Sequence, residues 1–147
     1  MDKFVIEGCQ PLNGTVTPSG NKNAALPILA ATLLTEDEVI LRNLPEIEDV
    51  KTMRLLLQSL GVVINKIGDH EWSIRAKNIH PSDMAPDLSS KIRASILLAG
   101  PMVARTGELV LPPPGGDVIG RRRVDTHIVA LTALGAQVEY NRQFHFK

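Results

Sequence analysis

One stretch of this chain occurs twice, and that duplication limits the folds open to it more than any single motif does. Glu38-Val39-Ile40-Leu41 reads as a short strand, and Glu108-Leu109-Val110-Leu111 repeats it 70 residues later. At the same offset Asn23-Ala24-Ala25-Leu26-Pro27-Ile28-Leu29 faces Arg93-Ala94-Ser95-Ile96-Leu97-Leu98-Ala99. Further along, Val50-Lys51-Thr52 corresponds to Val124-Asp125-Thr126, and Leu60-Gly61-Val62 to Leu134-Gly135-Ala136, both at an offset of 74. The second copy therefore carries four extra residues between its strand and its following helix, within residues 112–123.

Periodicity gives each copy a secondary structure. Leu26, Leu29, Ala30 and Leu33 recur at helical spacing, and Pro27 is expected in the first turn, where a missing N–H is harmless. A second helix shows Val50, Met53, Leu57 and Leu60 on one face and ends at Gly61; Val124, Ile128, Leu131 and Leu134 repeat that face and end at Gly135. Strands are expected over 62–66 and 71–75, then over 137–141 and 144–147. Each copy is thus a βαβαββ unit if a strand precedes it, and such units must bury their sheets against their own helices and against one another. Lys3 to Glu7 and Gly14 to Pro18 alternate like two more strands, but this lead-in does not match the repeat.

Composition narrows the function. The 16 Lys+Arg and 16 Asp+Glu cancel, which argues against a nucleic-acid partner, and five scattered aromatics (Phe4, Trp72, Tyr140, Phe144, Phe146) offer no base-stacking platform. Apolar runs such as residues 24–34 fall short of the ~20 residues of a membrane span, and residues 1–7 lack the apolar stretch of a signal peptide. A single cysteine makes no intramolecular disulfide and fits a cytoplasmic location. The expectation is an α/β chain of the α+β type without membrane or nucleic-acid partners.

Chemistry is expected at two places. In Ser19-Gly20-Asn21-Lys22-Asn23 a helix N-terminus offers unpaired N–H groups, Gly20 lets backbone approach a ligand, and Lys22 adds charge, a set that suits a phosphate or carboxylate. An ordinary helix cap accounts for Asn21 equally well. In Pro112-Pro113-Pro114-Gly115-Gly116-Asp117-Val118-Ile119-Gly120-Arg121-Arg122-Arg123, prolines stiffen one arm and glycines free the other, the composition of a loop that can close over a site. Three consecutive arginines before a helix N-terminus repel each other and oppose its dipole, so a polyanion such as a diphosphate is their natural partner; a solvated basic loop is the alternative. Asp117 between the glycines is either a loop carboxylate bonded to backbone or, desolvated beside an anion, a proton donor. Arg93 heads the second copy's first helix, where a helix-face salt bridge would also explain it.

Cys9 has no basic neighbour to activate it, and His70, His80, His127 and His145 show neither HxxxH nor HExxH spacing. Neither a zinc site nor a nucleotide-cofactor fold is legible, and no cofactor is expected.

Ser19-Gly20-Asn21-Lys22-Asn23-Ala24-Ala25-Leu26-Pro27, Ile92-Arg93-Ala94-Ser95-Ile96, and residues 111–125 with His127 together resemble the UDP-N-acetylglucosamine 1-carboxyvinyltransferases, a family of enolpyruvyl transferases. The resemblance runs the length of this chain and covers well under half of a family chain. It implies an inside-out α/β barrel of repeated βαβαββ units, incomplete here. Residues 1–20 would be lead-in strands of a first, split domain, and residues 21–147 the first two units of the second, with a C-terminal remainder needed to complete the fold. The implied reaction moves the enolpyruvyl group of phosphoenolpyruvate to the 3-hydroxyl of UDP-N-acetylglucosamine and releases phosphate, opening peptidoglycan precursor synthesis. Carried over residue by residue, Lys22, Asn23 and Arg122 match phosphoenolpyruvate-binding positions. Asn23, Arg93, Arg122, Arg123, Val124, Asp125 and Thr126 match UDP-sugar positions. Asp117 stands where the family usually has a proton-donating cysteine, which implies a carboxylic general acid and insensitivity to the epoxide fosfomycin. Arg123 replaces the usual proline. The sister enolpyruvylshikimate phosphate synthases, and a non-catalytic UDP-sugar-binding module, are the alternatives, and the 147-residue chain alone is expected to show no turnover.

Overall fold

The duplication seen in the sequence is also a duplication of topology. The computed structural model describes residues 3–9, 11–82, 84–116 and 123–147. The first unit runs through helix α1 (Lys22–Ala31), a 3-10 turn (Thr32–Leu34), strand β1 (Glu38–Leu41), helix α2 (Glu48–Ser59) and strands β2 (Val63–Gly68) and β3 (Glu71–Arg75). A short helix α3 (Pro86–Ser89) leads into the second unit. It comprises a 3-10 helix (Arg93–Leu98), α4 (Ala99–Thr106), β4 (Leu109–Leu111), α5 (Asp125–Ala133), β5 (Val138–Tyr140) and β6 (Phe144–Phe146). The strands form two antiparallel sheets of order β1-β3-β2 and β4-β6-β5, so the last strand of each unit lies in the middle. Leu41 stands opposite Trp72 in one sheet and Leu111 opposite Phe144 in the other. Two three-stranded sheets with helices make a mixed helix and sheet fold; no closed barrel is visible among the described residues.

A single core joins the units. Leu29 and Leu33 from the first helical segment, Met53, Leu56 and Leu57 from α2, and Leu98, Met102, Leu109 and Phe146 from the second unit are all essentially solvent-free. Helix α1 packs on α2 of its own unit and on the Arg93–Leu98 helix of the other, which sets the heads of the two units' first helices side by side. Arg105 at the end of α4 clasps the units together. Its guanidinium donates to the carbonyls of Leu33 (2.8 Å) and Thr35 (3.1 Å), satisfying acceptors at the end of the first helical segment.

Four expectations change. Pro27 is the sixth residue of α1, well inside it, so the carbonyl of Asn23 one turn earlier loses its helical N–H partner. The second unit opens as a 3-10 helix, with the Ser95 hydroxyl bonded back to the carbonyls of Ile92 (3.0 Å) and Ser89 (3.2 Å). Residues 3–9 and 11–20 contain no strand, and Phe4, Val5, Ile6, Leu12 and Val16 are exposed: alternation makes a strand only where an edge accepts its hydrogen bonds. The apolar residues of α5 are spread nearly all round the helix and do not form the expected stripe, and none of its residues is buried. No described helix is long and apolar enough to cross a membrane.

Candidate functional site

The head of α1 is fixed before any ligand is considered. Asn21 takes the extended conformation of a cap and its Oδ1 accepts the Asn23 N–H at 2.7 Å. Gly20 donates its N–H to Asn43 Oδ1 at 3.1 Å, and a Cβ at Gly20 would fall 1.8 Å from the Asn43 carbonyl oxygen. The glycine therefore permits an approach of the chain to itself, not to a ligand as the sequence suggested. With Asn21 turned to capping, Lys22 and Asn23 are the polar residues presented beyond it.

They present into a cleft of about 390 Å³, lined among others by Lys22, Asn23, Asp49, Lys91, Arg93 and His127. Leu26, Pro27, Ile92 and Leu97 form its apolar floor, and Gly116 reaches it from the long loop. Lys22, Lys91 and Arg93 outnumber the single carboxylate of Asp49, so the described lining favours an anion. Cations for charge, an amide for orientation and an apolar floor together suit a phosphorylated or carboxylated small molecule with a polar, uncharged part.

The two units supply this lining from equivalent places. Lys22 and Asn23 head the first unit's opening helix, and Arg93 heads the second's. In the first unit Lys22 Nζ reaches Asp49 Oδ2, at the start of α2, at 2.7 Å. In the second Arg93 donates to the backbone carbonyl of Arg123, just before α5. Arg123 itself pairs with Asp125 in the first turn of α5, so the dipole that three arginines seemed to oppose is met by an acid. The loop lies against residues 89–93: a Cβ at Gly115 would fall 1.5 Å from the Ser90 carbonyl oxygen, and the Ser89 hydroxyl donates to the Pro112 carbonyl at 3.3 Å.

Of the residues expected from sequence, Lys22, Asn23 and Arg93 line one cleft. Arg123, Val124, Asp125 and Thr126 gather at the head of α5, joined to that cleft through the Arg93 to Arg123 bond but outside its lining. Asp117 and Arg122 lie outside the described residues. Asp49 and Lys91 were missed, and His127, weighed as a metal ligand and named among the residues that carry the resemblance, had no binding role assigned to it. Asp49 hides in the acidic run Glu46-Ile47-Glu48-Asp49, which reads as ordinary helix-head charge. The repeat offers the one signal for it, since position 49 corresponds to position 123. Cys9 is exposed and absent from the cleft's lining.

Comparison with known proteins places the chain in a family. Residues 6–146 match the family EPSP synthase (3-phosphoshikimate 1-carboxyvinyltransferase). Curated relatives named UDP-N-acetylglucosamine 1-carboxyvinyltransferase include proteins of Treponema denticola (53% identical over 146 residues), Bradyrhizobium diazoefficiens (51% over 145) and Helicobacter pylori strain J99 (45% over 144). These alignments take in 98–99% of this chain and 34% of each relative, so the chain spans about a third of their length. Among solved structures, the enolpyruvyl transferase NikO of Streptomyces tendae superposes with a TM-score of 0.73 at 20% identity, over 92% of this chain and 30% of that one. The EPSP synthase of Acinetobacter baumannii gives 0.61 at 19% identity, over 91% and 32%. Sequence, topology and these matches agree that the chain belongs to the EPSP synthase family of enolpyruvyl (1-carboxyvinyl) transferases.

Proposed function

We propose that this chain supplies the substrate-binding face of a UDP-N-acetylglucosamine 1-carboxyvinyltransferase, a cytoplasmic enzyme of peptidoglycan precursor synthesis. The observation that carries the reading is the meeting of Lys22 and Asn23 from one unit with Arg93 from the other in one cationic cleft. The names of relatives 45–53% identical favour UDP-N-acetylglucosamine over 3-phosphoshikimate as acceptor. On this reading residues 1–20 belong to a separate domain, residues 21–147 are two units of an inside-out barrel, and further chain completes both.

The chemistry requires a proton at C3 of phosphoenolpyruvate, which leaves C2 electrophilic. The sugar's 3-hydroxyl oxygen then bonds to C2 as its proton passes to a base on the further chain, and the tetrahedral adduct loses phosphate as a C3 proton passes to a base and the enol double bond returns. Lys22 and Arg122 bind the phosphate and carboxylate and stabilise the charge of the leaving group. Asn23 orients both substrates, and Arg93 with residues 123–126 holds the UDP-sugar. Asp117 gives the C3 proton, a role that requires its carboxyl to stay protonated beside the substrate.

The test compares two proteins. The 147-residue chain should bind UDP-N-acetylglucosamine, with amide shifts centred on Lys22, Asn23 and Arg93, and release no phosphate. A chimera with this chain in place of the corresponding third of the Treponema denticola relative should release phosphate from phosphoenolpyruvate only when UDP-N-acetylglucosamine is present. Fosfomycin should form no adduct with it, and Asp117→Asn should lower kcat by roughly 10²–10⁴. Turnover with 3-phosphoshikimate instead, or an unaffected Asp117→Asn variant, overturns the reading.

A further inference from the structure

An acid in a cleft built for anions weakens binding unless it has another task, and Asp49 is the only carboxylate in the described lining. Its Oδ2 lies 2.7 Å from Lys22 Nζ, with both side chains partly screened from solvent. The dipole of α2 does not account for this placement, because Glu48 occupies the same turn. Glu48 is far more exposed and lies 3.8 Å from Lys51 on the outer side. The repeat sharpens the point. In each unit the cation heading the first helix is tied to the start of the second, by a carboxylate in unit one and by the Arg123 carbonyl in unit two. The tie is thus common to both units, although position 49 is acidic and its counterpart 123 is basic.

Resting on the reading of this cleft as the phosphoenolpyruvate site, we propose that Asp49 is a positioning residue for Lys22. Lysine carries a long stem whose head loses much rotamer freedom when it is fixed. An ammonium has three donors; the one given to Asp49 fixes the head and leaves two for the phosphate or carboxylate of the substrate. The ordering is complete before the ligand arrives, so the ligand does not bear it.

Two readouts on the 147-residue chain decide the matter: the side-chain ammonium resonance of Lys22 in ¹⁵N-lysine-labelled protein, and the affinity for inorganic phosphate. The wild type should show a slowly exchanging Lys22 ammonium signal. Asp49→Asn should lose that signal and bind phosphate roughly three- to tenfold more weakly. Simple charge counting demands the opposite, tighter phosphate binding once a negative neighbour is gone. Glu48→Gln removes an equal charge from the same helix turn and should change neither readout. If Asp49→Asn lowers the chain's stability, Asp49→Glu carries the test: it must keep the ammonium signal and bind phosphate within about twofold of wild type. Phosphate binding to Asp49→Asn that equals or exceeds the wild type overturns the proposal. If the wild type ignores UDP-N-acetylglucosamine while the phosphate readouts follow expectation, the assignment of substrate falls and the positioning role of Asp49 stands.

Discussion

Helices α2 and α5 occupy the same place in their units, and apolar residues recur at the same positions of both, yet α2 is an amphipathic core element and α5, apolar nearly all round, is not. Val50, Thr52, Met53, Leu56 and Leu57 of α2 are buried beneath α1, α3 and the Arg93–Leu98 helix. On α5 no residue is buried; Val124 and Leu131 lean on the core, while Val129 and Leu134 are 66% and 85% exposed. Apolar residues at helical spacing therefore state what a helix can bury, and only the neighbours decide whether it is covered. The second unit draws its share of the core from α4, β4 and Phe146 instead.

The widest contrast is expected at Leu57 and Leu131, which stand 74 residues apart at equivalent positions. Leu57 is fully buried and Leu131 only partly so. Leu57→Ala should cost about 2–5 kcal/mol, the transfer term plus a cavity, while Leu131→Ala should cost about 1 kcal/mol or less. Urea unfolding of both variants measures this, and equal losses would mean that α5 is covered in solution.

A smaller contrast separates the glycines that end these helices. Gly61 and Gly135 both have positive φ, +94° and +104°, so alanine meets backbone strain of roughly 1–2 kcal/mol at either. At Gly61 the added Cβ would also lie 2.4 Å from the Asn78 carbonyl oxygen, whereas at Gly135 nothing lies within 4 Å. Gly61→Ala should therefore be the more destabilising of the pair in the same unfolding experiment. Parity would show that the loop carrying Asn78 yields freely.

These pairs also show how far the sequence could be read. Repetition made the order of helices and strands legible, since each unit corroborated the other, and Gly61 and Gly135 marked the stops. Local pattern failed where the answer depended on distant chain: no alternation says whether residues 3–7 find a sheet edge, and no apolar spacing says what lies on α5. Pro27 was misplaced by a few residues because Asn21, not a later residue, caps α1. Within the cleft, Lys22 stood out because it heads a helix after a glycine, whereas Asn23 and Arg93 are read as substrate positions only through the family resemblance. Asp49 did not stand out, because an acid at a helix start already has a local explanation and its contact with Lys22 spans 27 residues of sequence.

The smallest expected effect lies on the inner faces of the two sheets, at Trp72 and Phe144, which share those faces with buried Ile74 and Phe146. Unit one places Lys66 Nζ 2.6 Å from Glu46 Oε1, near Trp72, whose ring lies under the Arg54 guanidinium at 3.5 Å. Unit two has no such charges at the matching positions; Tyr140 replaces Lys66 and its ring meets Phe144 at 4.8 Å. The hydrogen bond and charge of Lys66 hold the Glu46 carboxyl below the ordinary glutamate range. A carboxyl whose pKa is lowered by folding adds stability above its unfolded value and loses it as pH falls through the folded value. Glu46→Gln should therefore flatten the acid side of the stability profile slightly, without effect at neutral to alkaline pH beyond the loss of one exposed ion pair. Added salt should shrink the difference between variant and wild type, because a solvent-exposed pair is screened. A Glu46→Gln effect that grows with acidity, or that salt leaves untouched, would place the pH dependence of unit one elsewhere than in this pair.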